Sequence, residues 1–418
     1  CQQFPDNPVI RRNALVSMEY DPTATPEARL QQAIEWGLWV TGEQNLPRPP
    51  HQPLNNRPLR VGYVSADICQ HTVGFLVKDV LIHHNPERVT PFVYSAGAHE
   101  DWITRKIARA TQFRNVAALN DAELANRIRR DKIDVLVDLS GHTAGSRLSV
   151  FALRPAPLQI SWLGYFATTG LASMDVVLLD RWHHTPEIQA SFCERIVDLP
   201  SRFCYQPAPF APEVSPPPAL KRGYITFGSF NNTAKLNTNV LQLWARVLNR
   251  CADSRLILKW RTLLDPALKA HIQEVFAEAG IKPDRIELRG PSFHADVLKE
   301  YADIDIALDP FPFCGGLTTC EALWMGVPVI TLPQNRAVSR QSTAILNLID
   351  HPEWVATSAD HYIDIAERLS KDTPSLASIR HKLRSDMLST PLMNVTDYLV
   401  ALETQFIAMF KALTSSPV

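Results

Sequence analysis

The chain has 418 residues, 45% of them hydrophobic and 20% charged, and its 42 Lys and Arg against 43 Asp and Glu leave a net charge of −1. That length points to two or three domains, each able to bury a core, and the charge balance argues against a nucleic-acid surface, which carries a basic excess or stripe. Uninterrupted apolar runs reach only about five residues where a membrane helix needs about 20.

No basic region followed by an apolar stretch marks a signal peptide. Seven scattered cysteines, odd in number and never in a C-x-x-C pair, fit a reducing, cytoplasmic compartment and suit zinc poorly. The chain opens on Cys1 without a methionine, so residues are expected upstream.

Thr25-Pro26-Glu27 opens a helix whose apolar residues Leu30, Ala33, Ile34 and Leu38 recur at helical spacing. Five prolines between Leu46 and Pro58 end it, so residues 1–58 read as a helical segment and linker. From Leu59 short β-rich runs (Leu59 to Ser65, Pro91 to Ser95, Ile133 to Leu139, Leu158 to Leu163, Val176 to Leu179) alternate with helical patterns near 75–82, 98–110 and 121–130. Such alternation predicts a parallel sheet wound on both faces, here over residues 59–206.

Six prolines in the twelve residues from Pro207 to Pro218 cannot continue a helix or a central strand, so 207–222 reads as a linker. The alternation resumes with strands at Tyr224 to Phe230, Arg255 to Lys259, Arg285 to Arg289, Ile304 to Leu308 and Val327 to Leu332. Between them lie helices at Leu241 to Arg250, Pro266 to Ala279, Ala295 to Tyr301 and Thr319 to Met325, giving a second domain over 223–390 and a closing helix over 391–418. The predicted fold class is α/β, two Rossmann-like doubly wound domains facing a cleft, with ligands beyond the carboxyl ends of the strands.

Four segments carry chemistry. Asp309 to Leu323 follows an apolar strand and opens a helix; Cys314-Gly315-Gly316 lets backbone approach a ligand, Thr318 and Thr319 sit where caps are wanted, and the helix start favours an anion. An ordinary strand–turn–helix fits the same residues. Phe227 to Lys235 also ends a strand, and Lys235 there is either a phosphate-binding point charge or a solvated loop lysine. Ser65 to His71 places Asp67 and His71 where a proton acceptor is useful, or else a cap and a surface histidine. Asp138 to Thr143 puts His142 after another strand, expected to face the same cleft. Asp303-Ile304-Asp305 spells a D-x-D, but at the start of an apolar strand a metal role is the weaker reading.

The runs from Arg60 to His71, Phe151 to Gly164 and His294 to Leu332 resemble the catalytic region of the protein O-GlcNAc transferases, over about residues 15–412 and in the right order. The resemblance implies a GT-B glycosyltransferase with its active site between the two domains, UDP-N-acetylglucosamine as donor, a protein Ser/Thr hydroxyl as acceptor, no metal or other cofactor, and upstream tetratricopeptide repeats. It assigns Thr318 and Thr319 to the diphosphate, Lys235 to the leaving phosphate with Asn232 beside it, and His294 to the uracil. His71 or Asp67 becomes the base, and Leu163 and Gly164 approach the N-acetyl group. Leu317 stands where animal members have histidine and Ala322 where they have aspartate, and Glu321 takes the ribose hydroxyls as in many GT-B enzymes. These departures, and the absence of the animal insertion, suggest a bacterial-type member. Donors such as GDP-fucose or UDP-glucose, a non-protein acceptor, and a scaffold with a vestigial nucleotide pocket are the alternatives.

Overall fold

The computed structural model describes residues 6–42, 46–51 and 53–415, and the chain divides into two units, Cys1–Gln206 with Asn394–Val418, and Pro207–Met393. The first unit holds β1 (Leu59–Ser65), β2 (Val89–Ser95), β3 (Gln112–Asn115), β4 (Val135–Asp138), β5 (Leu158–Ser161), β6 (Val176–Asp180) and β7 (Arg195–Leu199), all parallel in the order β3-β2-β1-β4-β5-β6-β7. Strands β4, β5 and β6 are buried along their whole length, which is why they read as apolar runs. The two strands that pattern reading missed, β3 and β7, are the sheet's edges, where one flank is open and the sequences Gln-Phe-Arg-Asn and Arg-Ile-Val-Asp-Leu carry polar side chains.

The helix Pro26–Thr41 starts at Thr25, whose hydroxyl accepts from Ala28 N at 3.2 Å. Its inner face is Ala33, Trp36 and Gly37, whereas Leu38, expected inside, is 50% exposed. A Cβ on Gly37 would overlap Gly170 O, so helix and loop touch through backbone. A preceding helix, Pro8–Tyr20, was not anticipated; it is tied on by the buried Glu19–Arg29 ion pair at 3.0 Å. The last helix, Val395–Ser415, belongs to the first unit. Its Glu403 carboxylate lies 2.9 Å from His84 Nδ1 and accepts from Asn85 N, and Tyr398 OH donates to Arg202 O at 3.1 Å.

The second unit holds β8 (Thr226–Ser229), β9 (Arg255–Lys259), β10 (Ile286–Arg289), β11 (Ile306–Leu308) and β12 (Val329–Ile330), parallel in the order β10-β9-β8-β11-β12. The proline-rich stretch, expected as linker, is part of this unit: buried Arg380 donates to Ser215 O, Ile304 O (2.8 Å) and Tyr301 O (2.9 Å). In both sheets the strand order reverses once, between β1 and β4 and between β8 and β11. Such reversals open crevices at the strands' carboxyl ends. No helix among the described residues is long and apolar enough to cross a membrane.

Candidate active site

Beyond the reversal in the second sheet, the segments after β8 and β11 meet. Lys235 ends a short 3-10 turn after β8, and its Nζ donates to Cys314 O (2.8 Å) and Asn231 Oδ1 (3.0 Å) while lying 4.7 Å over the Phe313 ring. Burial pushes its pKa below the usual lysine value, against the pull of Asp309 and Cys314. An ammonium with one N–H to spare in a desolvated setting is primed for an anion. Asn231 also accepts from Thr318 Oγ1 at 3.1 Å, joining both segments. The sequence reading put Asn232 beside Lys235. Instead Asn232 caps the 3-10 turn through Ala234 N (3.1 Å), and the residue before it makes the contact.

The helix Leu317–Trp324 has Gly316 as its N-cap and no capping side chain. Thr318 and Thr319, expected as caps, are its second and third residues. Cys320 N is the first amide to bond Gly316 O, so the amides ahead of it keep their N–H groups for a ligand. Gly315 N donates to Asp309 Oδ1 at 2.6 Å, Asp309 Oδ2 accepts from Thr331 Oγ1 at 2.7 Å, and Thr319 Oγ1 lies 2.8 Å from Ser342 Oγ. A Cβ on Gly315 would collide with Thr319 Oγ1 and come within 2.9 Å of Asp309 Oδ1, so only glycine fits. Burial pushes the Cys314 thiol up to about 12, so its backbone serves here, not its sulfur.

One turn along that helix, Glu321 Oε1 sits 2.6 Å from His294 Nε2, and the Phe210 ring meets His294 edge-on at 5.3 Å. The ribose and uracil residues of the sequence reading are thus paired with each other here. The D-x-D is structural: Asp305 is fully buried and accepts from Thr226 N (2.8 Å) and Ala219 N (3.1 Å), while Asp303 pairs with Arg222 and Arg289. Among the described residues no group of three or more His, Cys, Asp or Glu is placed to hold a metal.

In the first unit the loop after β1 is held by its own backbone. Cβ atoms on Gly74 or Gly97 would overlap Cys69 O or Ala66 O, and Asp101 accepts from Gln70 N at 2.5 Å. His71 caps the helix Thr72–Ile82 by accepting from Val73 N at Nδ1 (3.3 Å), with Asp67 Oδ2 3.7 Å from the same nitrogen. A neutral imidazole accepting at Nδ1 carries its proton on Nε2, so the outer nitrogen of His71 is a donor. Burial raises the pKa of the Asp67 carboxyl, partly offset by His71, so Asp67 holds a proton more readily than an ordinary aspartate.

His142 departs from expectation. It is fully buried, with Nε2 2.9 Å from Thr169 O and its ring edge-on to Trp36 (4.4 Å) and Tyr165 (5.2 Å). Burial lowers its pKa to about 4. Gly141 adopts φ 54°, and this left-handed turn swings the next side chain inward. Leu163, just past β5, takes φ 72° with its carbonyl accepting from Arg202 Nη2 at 2.9 Å, and a Cβ on Gly164 would overlap Leu139 O.

The profile of glycosyl transferase family 41 matches residues 39–206 and 219–402. The chain belongs to glycosyl transferase family 41. It is similar to a mutant of Thermobaculum terrenum O-GlcNAc transferase, 33% identical with TM-score 0.93 over 98% of this chain and 78% of that one. It is also 33% identical, over 97% of its length, to "Probable UDP-N-acetylglucosamine--peptide N-acetylglucosaminyltransferase SPINDLY" of Arabidopsis thaliana, covering 45% of it. The corresponding SEC protein of that plant is 29% identical over 84% of the chain. The chain therefore spans about half the length of the curated relatives it matches. At 12% identity and TM-score 0.51, the galactosyltransferase WaaB shares the fold alone. Two parallel-sheet units with these neighbours are the GT-B fold.

Asn231, Asp309 and Ser342 escaped the sequence reading. Asp309 heads the glycine-rich segment, a signal available in sequence. Ser342 lies in an unpredicted helix, Gln341–Leu348, and nothing local marks it.

Proposed function

We propose that this family 41 chain transfers N-acetylglucosamine from UDP-N-acetylglucosamine to serine or threonine hydroxyls of a protein, with inversion at the anomeric carbon. The observation that carries the proposal is the desolvated Lys235 ammonium beside the uncapped start of helix Leu317–Trp324. Donors fixed in advance around a departing phosphate give the largest expected benefit in such a transfer. The acceptor oxygen bonds the anomeric carbon as the bond to the β-phosphate breaks, and UDP leaves with the electron pair.

Lys235 and the free amides with Thr318 and Thr319 take up that charge, so no metal is invoked. Glu321 and His294 separate from each other to hold ribose and uracil, and Leu163 and Gly164 line the N-acetyl group. Asp67 receives the hydroxyl proton, while His71 donates from Nε2. The names of the relatives support the donor and the peptide acceptor. A cytoplasmic setting and presentation of acceptors by upstream tetratricopeptide repeats belong to the same proposal.

Isothermal titration with UDP, with GDP as control and EDTA throughout, tests the donor half. Micromolar binding of UDP alone supports it. A preference for GDP moves the donor to GDP-fucose, and no binding of either points to a vestigial scaffold. For the acceptor half, Asp67→Asn should abolish transfer while UDP binding is kept; transfer at the wild-type rate removes Asp67 from the role.

A further inference from the structure

On the first unit, a groove of about 470 Å³ lined by none of the residues assigned above lies between the helices Thr72–Ile82 and Trp102–Ala110. Its wall is the exposed side of the second helix. Arg105 and Arg109 stand one turn apart with Lys106 beside them, and His83 lines the groove as well. Ile82, Trp102 and Ala110 supply apolar surface among these cations.

Lys106 is 3.5 Å from Asp79, a carboxylate that also pairs with Lys78 at 2.5 Å. Neither Arg105 nor Arg109 has a side-chain hydrogen-bond or ion-pair partner among the described residues. The groove is thus a concentration of positive charge on a chain whose net charge is −1, built on the helix that Asp101 anchors with a capping box.

We propose that this groove binds an acidic peptide segment, its carboxylates on Arg105, Arg109 and Lys106 and an apolar side chain against Trp102 and Ile82. Guanidinium groups pair carboxylates in a fork geometry, and residues four apart on a helix stand about 5–6 Å from each other. The apolar surface of Ile82, Trp102 and Ala110 among the cations suits a peptide with an apolar side chain and offers nothing to a lone phosphate. A nucleic acid would need a basic footprint reaching well beyond one helix. The binding goes beyond the transferase reading and does not depend on it.

The test is fluorescence anisotropy of a labelled peptide of interspersed glutamates and leucines, titrated with the full chain at low salt. The expected result is saturable binding that weakens as salt screens it. A matching lysine-for-glutamate peptide should not bind. The double variant Arg105→Glu with Arg109→Glu should bind at least tenfold more weakly, with its melting temperature and UDP affinity unchanged. The milder pair Arg105→Gln with Arg109→Gln should fall between. No binding to the wild-type chain, or equal binding to the double variant, overturns the proposal. Displacement of the peptide by lower concentrations of inorganic phosphate or of a single-stranded oligonucleotide than of unlabelled peptide also overturns it, in favour of that anion.

Discussion

Replacing Lys235 with methionine deletes the ammonium while leaving an unbranched side chain over Phe313. Asn231 Oδ1 and the Cys314 carbonyl each lose the lysine donor, but Asn231 Oδ1 keeps its bond from Thr318, so the Cys314 carbonyl is the acceptor left without its side-chain donor. An unpaired buried acceptor costs about 1–3 kcal/mol, and removing a desolvated charge offsets part of that, so the fold should survive. A charge-assisted hydrogen bond contributes about 1.5–3 kcal/mol, which translates into a loss of roughly 10- to 150-fold in UDP affinity. Turnover should fall by ~10²-fold or more, because charge on the leaving phosphate grows toward the transition state.

Calorimetry with UDP and the rate of UDP release from UDP-N-acetylglucosamine in the presence of a peptide acceptor measure the two effects separately. The pH profile gives an independent check. UDP binds the ammonium form, so wild-type affinity is level below the depressed Lys235 pKa and declines above it, at a pH lower than an ordinary lysine would set. The methionine variant should lack that decline. UDP affinity and turnover both within threefold of wild type would refute the reasoning.

Gly315→Ala should weaken UDP binding at least as severely without touching any charge, because its Cβ collides with Thr319 Oγ1 and pushes the Asp309 carboxylate off the loop; titration against wild-type UDP affinity checks this, and an unchanged value would mean the loop yields freely. His142, with a folded pKa of about 4 against an ordinary 6.5, contributes stability that is complete above pH 6.5 and is lost as pH falls toward 4. At 1.36 kcal/mol per unit that is about 3 kcal/mol. Asp138, raised to about 7 by burial, has the opposite slope, its stability falling as pH rises from about 4 to 7. Urea unfolding of wild type and His142→Gln should therefore converge as pH drops from 7 to 4.5, and a constant difference would contradict the assignment.

Interior strands announced themselves because burial on both faces demands apolar side chains throughout, whereas β3 and β7, with one flank free, obey no such demand. Helix starts were legible where a side chain caps them, as at Thr25. The start at Leu317 was misplaced by two residues because glycine caps it and the threonines hydrogen-bond elsewhere. The resemblance and the residue types together pointed to Lys235, Thr318 and Glu321. The choice of Asn231 over Asn232 depends on how the turn after β8 meets Thr318, and the inward turn of His142 on the left-handed backbone at Gly141. No residue-type pattern encodes those. Glu321 and His294 carry separate ligand roles by residue type, and their pairing with each other emerges only in the folded chain.

The second unit is a continuous stretch of chain spliced into the first, whose final helix is supplied only by residues 394–418. During synthesis the inserted unit emerges whole and can close its sheet while the earlier one still lacks Glu403 for His84 and Asn85 and Tyr398 for Arg202. Domains ordinarily complete from the N-terminus onward; here the first unit needs residues that follow the second in the chain. A ribosome stalled after Met393 would carry a complete second sheet, while the buried His84 would still lack its Glu403 partner. The helix Val395–Ser415 therefore completes the unit whose sheet begins at Leu59, and removing it would be felt in that sheet.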